Sequence, residues 1–281
     1  MNSFCPELVG SMSQGAAGNP TVAMVEAAFK HHSLNWRYVN MEVSPEHLGT
    51  AVQGARAMGF RGFNLSMPHK VSVIEHLDGL GESAAVIGAV NCVVRRDERW
   101  IGENTDGKGF LRSLQVVADP KDQTIVLFGA GGAARAIAVE LALAGAAKLY
   151  IVNRDAARGQ DLANLIGEKT AAKASWVPWQ EMNTLPEEAR IVINGTSIGL
   201  YDTDAALDFD LESLRPGTVV ADVVFNPVET RLLREAAARQ CVVVDGLGML
   251  VDQGVIGVQY WTGIDPDPRV MRHALRHAMG V

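Results

Sequence analysis

From residue 124 to residue 152 the chain passes through an apolar strand, a glycine turn, a helix and a second strand. No other stretch restricts the fold as much. Thr124-Ile-Val-Leu-Phe128 reads as a strand buried on both faces, Gly129-Ala-Gly-Gly-Ala-Ala134 as the turn, and residues 134–144 as a helix stopped by Gly145. Lys148-Leu-Tyr-Ile-Val152 is the next strand. A glycine run alone often marks only a turn. Set between these elements, Gly129-x-Gly131-x-x-Ala134 matches a dinucleotide-binding fingerprint. Gly129 permits the tight turn, Gly131 removes the side chain where a pyrophosphate approaches, and Ala134 lets helix and strand pack closely. Ala130, Gly132 and Ala133 complete the loop, and the helix N-terminus turns its N–H groups toward the anion.

The second strand runs into Asn153-Arg154-Asp155, with Arg158 one turn further on. NAD sites usually meet the adenine ribose here with an acidic residue, whereas a 2′-phosphate requires positive charge. Asn153 is neutral and two guanidinium groups follow it, which favours NADP. Asp155 opposes them and is able to accept from a ribose 2′-hydroxyl, so NAD stands as the alternative.

The alternation continues beyond this loop. Residues 191–194, 219–224 and 242–245 read as strands, with helical stretches such as residues 229–239 between them. This order implies an α/β chain with a doubly wound parallel sheet. Ahead of a polar break at residues 120–123 lies another α/β pattern. Its helices fall at residues 21–32 with Thr21 as N-cap, from Ser44 onward, and at residues 71–77 and 82–87. Its strands fall at residues 37–43, 62–65, 89–94 and 100–103. Residues 249–261 and 268–279 are helical and are expected to pack back on this first domain. The expected division is a substrate domain of residues 1–106 plus 250–281, and a Rossmann domain of residues 107–249.

Composition narrows the partners. The 281 residues carry a net charge of -7, which lacks the positive field a nucleic-acid backbone demands. No apolar stretch reaches the length of about 18 residues that a membrane span needs, and residues 1–10 lack a basic start followed by an apolar run. Cys5, Cys92 and Cys241 are scattered without metal-ligand spacing, so no metal is expected and the thiols read as reduced. A cytoplasmic protein with a small-molecule partner is the expectation; its oligomeric state is not legible.

Three short segments carry the chemistry: Asn64-Leu-Ser-Met-Pro-His-Lys70, Gly88-Ala-Val-Asn91 and Glu103-Asn-Thr-Asp106-Gly-Lys-Gly. An ammonium and a carboxylate beside a hydride carrier are what reversible alcohol–ketone chemistry needs. Alone, Lys70 would read as a solvated lysine at a helix start, and Asp106 as a turn residue ahead of glycine. His69 reads as structural.

Together with Phe128-Gly-Ala-Gly-Gly-Ala-Ala-Arg135, Asn153-Arg154, Asn194-Gly-Thr-Ser197, Gly246-x-x-Met249-Leu-x-x-Gln253 and Trp261-Thr-Gly263, these segments resemble the shikimate dehydrogenase family. The likeness covers nearly the whole chain and includes the family's quinate/shikimate branches. It implies reversible hydride transfer between NADP(H) and a cyclic hydroxy acid such as shikimate. Lys70 and Asp106 are then the catalytic pair. Lys70 donates to the carbonyl oxygen or stabilises the alkoxide, and Asp106 orients that ammonium and binds the adjacent hydroxyl. Asn64, Ser66, Asn91 and Gln253 hold the substrate. Thr196 and Ser197 border the cofactor, and Gly246 and Met249 lie beside the nicotinamide.

The chain also departs from the pattern. Relatives that bind shikimate carry Ser-x-Ser-Pro near the N-terminus, whose hydroxyls hold the substrate carboxylate. Here Asn19-Pro20-Thr21 stands in that place, with Ser11 and Ser13 as rivals for the same task. Phe225 stands where many relatives have tyrosine. Both changes fall on substrate recognition, which suggests a divergent branch whose preferred polyol acid is other than shikimate. Two other readings are an NAD-dependent quinate-type dehydrogenase and a non-catalytic dinucleotide sensor.

Overall fold

The structure is a computed structural model that describes residues 4–281. The first three residues, on which the reading of a leader partly rests, lie outside the described residues. The chain divides into two compact units, one running to Thr105 and including Gln253–Val281, the other Asp106–Asp252.

In the first unit, β1 (Glu7–Ser13) enters the core, α1 (Thr21–His31) follows, and β2 (Trp36–Glu42) returns parallel beside β1. Next come α2 (Leu48–Ala57), β3 (Gly62–Leu65), the one-turn α3 (His69–Ser72), β4 (Gly79–Leu80) and α4 (Glu82–Ile87). The hairpin of β5 (Cys92–Arg96) and β6 (Arg99–Glu103) completes a mixed sheet in the order β2-β1-β3-β5-β6-β4. Phe63 and Trp100, with ring centroids 4.9 Å apart, centre one core with Met12, Leu65 and Val93.

Four local expectations change. Thr21 is the first helical residue rather than the cap, and the Asn19 carboxamide accepts the Thr21 N–H at 3.0 Å. An Asn side chain that bonds the N–H two residues on makes an Asx turn, so Asn19 does the capping. The helix expected from Ser44 is a 3-10 turn at Pro45–His47, with α2 starting at Leu48. The helix expected at residues 71–77 is α3 followed by a 3-10 turn at Val73–His76. Finally, Asp106 lies in the first turn of a helix rather than in a turn between elements.

That helix, α5 (Thr105–Gln115), leads into the second unit. There β7 (Thr124–Phe128), α6 (Gly132–Leu143), β8 (Lys148–Asn153), α7 (Ala156–Lys169) and β9 (Lys173–Pro178) form one half. The other half is β10 (Ala189–Asn194), β11 (Val219–Asp222), α8 (Arg231–Ala238) and β12 (Val242–Val244). The sheet order is β12-β11-β10-β7-β8-β9 and every pairing is parallel, the doubly wound arrangement the alternation implies. Its order reverses beside β7, and such switch points are where open α/β sheets bind ligands. Phe128 packs its ring on Trp179 and Phe209 at the centre of this core.

The helix α9 (Gly246–Thr262) begins in the second unit and ends in the first. In the first unit, α10 (Pro268–Met279) lies against α1, and Trp261 of α9 donates its indole N–H to the Val93 carbonyl at 3.0 Å. The C-terminal helices therefore pack back on the first unit. Among the described residues no helix is long and apolar enough to cross a membrane.

Candidate functional site

The second unit holds a cleft of about 450 Å3 at the carboxyl ends of its central strands. Gly129, Ala130, Gly131, Gly132, Ala133 and Asn153 line one side, and Thr196, Ser197, Val223, Val224 and Phe225 the other. The fingerprint glycines leave open backbone at the head of α6. Gly129 sits at φ 108°, in the left-handed region that favours glycine, and its N–H is held by the Val152 carbonyl at 2.8 Å. A Cβ on Gly131 or Gly132 would meet no atom within 4 Å, so open space faces the backbone at the start of α6. No side chain caps that helix end. Open backbone at an uncapped helix N-terminus fits a pyrophosphate, whose charge the first N–H groups would receive. Ala134 is fully buried, and a Cβ on Gly195 would come within 2.9 Å of its methyl, so only small residues allow this approach.

At the end of β8, Asn153 donates its amide to the Asp155 carbonyl at 2.8 Å. The Asp155 carboxylate caps α7 by accepting the Arg158 N–H at 3.1 Å and faces the Arg158 guanidinium at 3.6 Å. Arg154 lies over the Trp179 ring, 4.9 Å from its centroid. Asp155 is thus engaged with its own helix, while two exposed guanidinium groups stand at the strand end. That charge balance fits a 2′-phosphate. Gly246 begins α9 packed against the Val223–Val224 backbone, and Met249 is half-buried one turn on; neither is among the residues lining this cleft.

The first unit contains a continuous polar chain. The Tyr38 hydroxyl donates to Asn64 Oδ1 at 2.9 Å, and Asn64 Nδ2 donates to the Asn91 carbonyl at 3.0 Å. Asn91 Oδ1 accepts the Thr105 N–H at 2.6 Å, and its Nδ2 donates to Thr105 Oγ1 at 3.0 Å. Thr105 Oγ1 reaches Gln253 Oε1 at 3.5 Å. All five side chains are buried. Burial raises the Tyr38 phenol well above its ordinary range, so it remains a neutral donor.

Lys70 stands in α3 beside this chain. Its carbonyl accepts the Val90 N–H at 2.7 Å, which ties it to the residue before Asn91. Buried His69 anchors the same turn through Nε2 and the Val43 carbonyl, 2.7 Å apart. Ser66 is exposed at the head of the turn, where its carbonyl accepts the His69 N–H. Asp106 is half-buried in the first turn of α5, where the helix dipole favours a carboxylate.

A second polar cluster occupies the place of the expected carboxylate grip. Asn19 Nδ2 donates to Ser11 Oγ at 3.2 Å, Ser11 Oγ to Asn40 Oδ1 at 2.9 Å, and Asn40 Nδ2 to the Asn19 carbonyl at 3.0 Å. Thr21 is buried at the adjoining helix start. The Glu42 carboxylate takes the N–H groups of Gly15 and Ala16 at 2.9 and 2.8 Å. Tyr38, Asn40 and Glu42 escape a motif reading, and strand alternation along β2 is the one signal that marks them. Among the described residues no group of three or more His, Cys, Asp or Glu is placed to hold a metal.

Three family models match along the chain: the shikimate dehydrogenase substrate binding domain over residues 19–93, shikimate/quinate 5-dehydrogenase over residues 113–201, and the shikimate 5′-dehydrogenase C-terminal domain over residues 246–276. The NADP(+) shikimate dehydrogenase of Desulforamulus reducens is 40% identical over 259 residues, covering 90% of this chain and 89% of that protein. Ligand-free 5-ketofructose reductase of Gluconobacter sp. strain CHM43 is 53% identical with a TM-score of 0.96, covering 98% of this chain and 99% of that one. Shikimate 5-dehydrogenase from Thermus thermophilus, solved with NADP(H) and shikimate, is 35% identical with a TM-score of 0.83, covering 97% of this chain and 99% of that one. The chain belongs to the shikimate dehydrogenase family of NADP-dependent oxidoreductases.

Proposed function

We propose that this enzyme reduces a ketone on a small, neutral polyhydroxy substrate with NADPH, the class to which 5-ketofructose belongs. The observation that carries this reading is the cluster of Ser11, Asn19 and Asn40. Where shikimate-binding relatives direct two serine hydroxyls at a carboxylate, the Ser11 hydroxyl here is committed to Asn40. The Glu42 carboxylate close by disfavours a second anion. Carboxamides that both donate and accept suit sugar hydroxyls. The 5-ketofructose reductase to which the chain is 53% identical agrees with it.

When bound, the reduced nicotinamide supplies the hydride, so that ketone, NADPH and a proton give alcohol and NADP+. Gly129, Gly131 and the start of α6 would hold the pyrophosphate, and Arg154 and Arg158 the 2′-phosphate. Lys70 gives its proton to the carbonyl oxygen as the alkoxide forms. Asp106, the carboxylate that the family likeness assigns, orients the ammonium. Asn64, Asn91 and Gln253 hold substrate hydroxyls, and Asn19 and Thr21 grip the far end of the substrate. A cytoplasmic setting supplies the NADPH.

A second reading takes a cyclic hydroxy acid such as shikimate as the substrate. The intact Asn64, Asn91 and Gln253 set and the 40% identical shikimate dehydrogenase support it. Turnover of 5-ketofructose against 3-dehydroshikimate, followed by nicotinamide absorbance, separates the two.

A further inference from the structure

Asp222 is a carboxylate only 1% exposed, at the end of an otherwise apolar strand. Parallel register sets it opposite Asn194 at the end of β10. Its Oδ1 accepts from Asn194 Nδ2 and from the Val224 N–H, both at 2.9 Å, and its Oδ2 accepts the Thr230 hydroxyl at 2.7 Å. Asn194 extends the network. Its Oδ1 accepts the Thr196 hydroxyl at 2.7 Å and the Thr196 N–H at 3.1 Å, and its Nδ2 donates to the Ile198 carbonyl at 3.0 Å. Thr230 in turn caps α8.

One buried carboxylate therefore ties together three pieces of chain. Two of them supply Thr196, Ser197 and Leu200, and Val223, Val224 and Phe225, which line the cleft together with the glycine loop. We propose that Asp222 is a positioning residue for the dinucleotide, holding Thr196, Ser197 and the Val223–Phe225 wall at the spacing the cofactor needs. This rests on the dinucleotide reading of the cleft.

The chemistry of the clamp favours this role over a purely structural one. Burial raises the Asp222 carboxyl above the ordinary carboxylate range, and hydrogen bonds from Val224, Thr230 and Asn194 pull it back down. A buried ion of this kind is weak support for stability, and apolar groups of similar volume often do as well. What an apolar pair would lose is the link from Asn194 to Thr196, the residue that lines the cleft.

The test is direct NADPH binding, measured by fluorescence titration of the purified protein. Thr230→Val removes one donor and Asp222→Asn removes the charge. Each is expected to weaken NADPH about tenfold, the scale of one charge-assisted hydrogen bond. Thr230→Ser, which restores the donor, is expected to return to the wild-type value. Ile193→Val, a core change on β10, is expected to leave binding unchanged. Wild-type affinity in Thr230→Val, or an equal loss in Ile193→Val, would overturn the role of Asp222 while leaving the dinucleotide reading intact. A wild-type protein that does not bind NADPH would overturn both.

Discussion

Ser11 donates its hydroxyl to Asn40 Oδ1 at 2.9 Å, and its own Oγ accepts the Asn19 amide at 3.2 Å. The Ser11 hydroxyl is thus spent inside the protein. Asn19→Ser takes away its amide partner and places a hydroxyl where shikimate-binding relatives have one. The expected result is a gain of about tenfold in kcat/KM for 3-dehydroshikimate, and a loss of similar size for 5-ketofructose. Steady-state kinetics on both substrates check this.

Lys70 is assigned the proton that reaches the carbonyl oxygen. Lys70→Ala is expected to lower kcat by about 10²–10⁴-fold, the scale of one acid–base group. The dissociation constant of NADPH should stay unchanged, because the glycine loop and the arginines lie elsewhere in the chain. Turnover close to wild type with cofactor binding intact would remove Lys70 from the chemistry.

Arg154 is the residue proposed to set cofactor choice. Its guanidinium is held over Trp179, 4.9 Å from the centroid, while Asp155 caps α7. Arg154→Ala is expected to weaken NADPH about tenfold or more and to leave NADH nearly unchanged. Titrating both cofactors into both proteins gives the ratio. An equal loss for each would place the 2′-phosphate elsewhere.

Asp267 offers a test by pH. It caps α10 through the Arg269 N–H at 2.8 Å and pairs with the Arg269 guanidinium, which holds its carboxyl down at about 2. A folded-state value below the unfolded one contributes stability that is complete above about pH 4 and is lost as the pH falls toward the folded value. Asp267→Ala should therefore unfold at a lower temperature than wild type at neutral pH. The gap should narrow as the pH drops below about 4. A gap independent of pH would assign the loss to the cap geometry alone.

The sequence shows the second unit most clearly where apolar runs meet glycine. β7 matches its expected bounds because Thr124-Ile-Val-Leu-Phe128 is covered on both faces and stops at Gly129. β9 goes unnoticed because it is an edge strand of half-buried residues, with no alternation to mark it. α5 is hidden by its glycines. A side chain on Gly107 would collide with the Ala136 carbonyl, so tertiary packing demands a residue that weakens the helical pattern. The Asp222 clamp is invisible for a different reason. Its partners Asn194 and Thr230 are far apart in the chain or lie beyond a loop, and only the parallel register of β10 and β11 joins them. The reaction type is legible because its motifs are local, whereas the proposed substrate grip draws on β2 residues that no motif contains.

In the proposed function, a family scaffold for hydride transfer serves a neutral polyhydroxy ketone. The most direct measurement is kcat/KM for NADPH-dependent reduction of 5-ketofructose and of 3-dehydroshikimate by the purified wild-type enzyme. Efficient turnover of 5-ketofructose is expected, with turnover of 3-dehydroshikimate at least about a hundredfold weaker, since a site built around one set of hydrogen bonds rejects a substrate lacking them. Comparable or better turnover of 3-dehydroshikimate would contradict it.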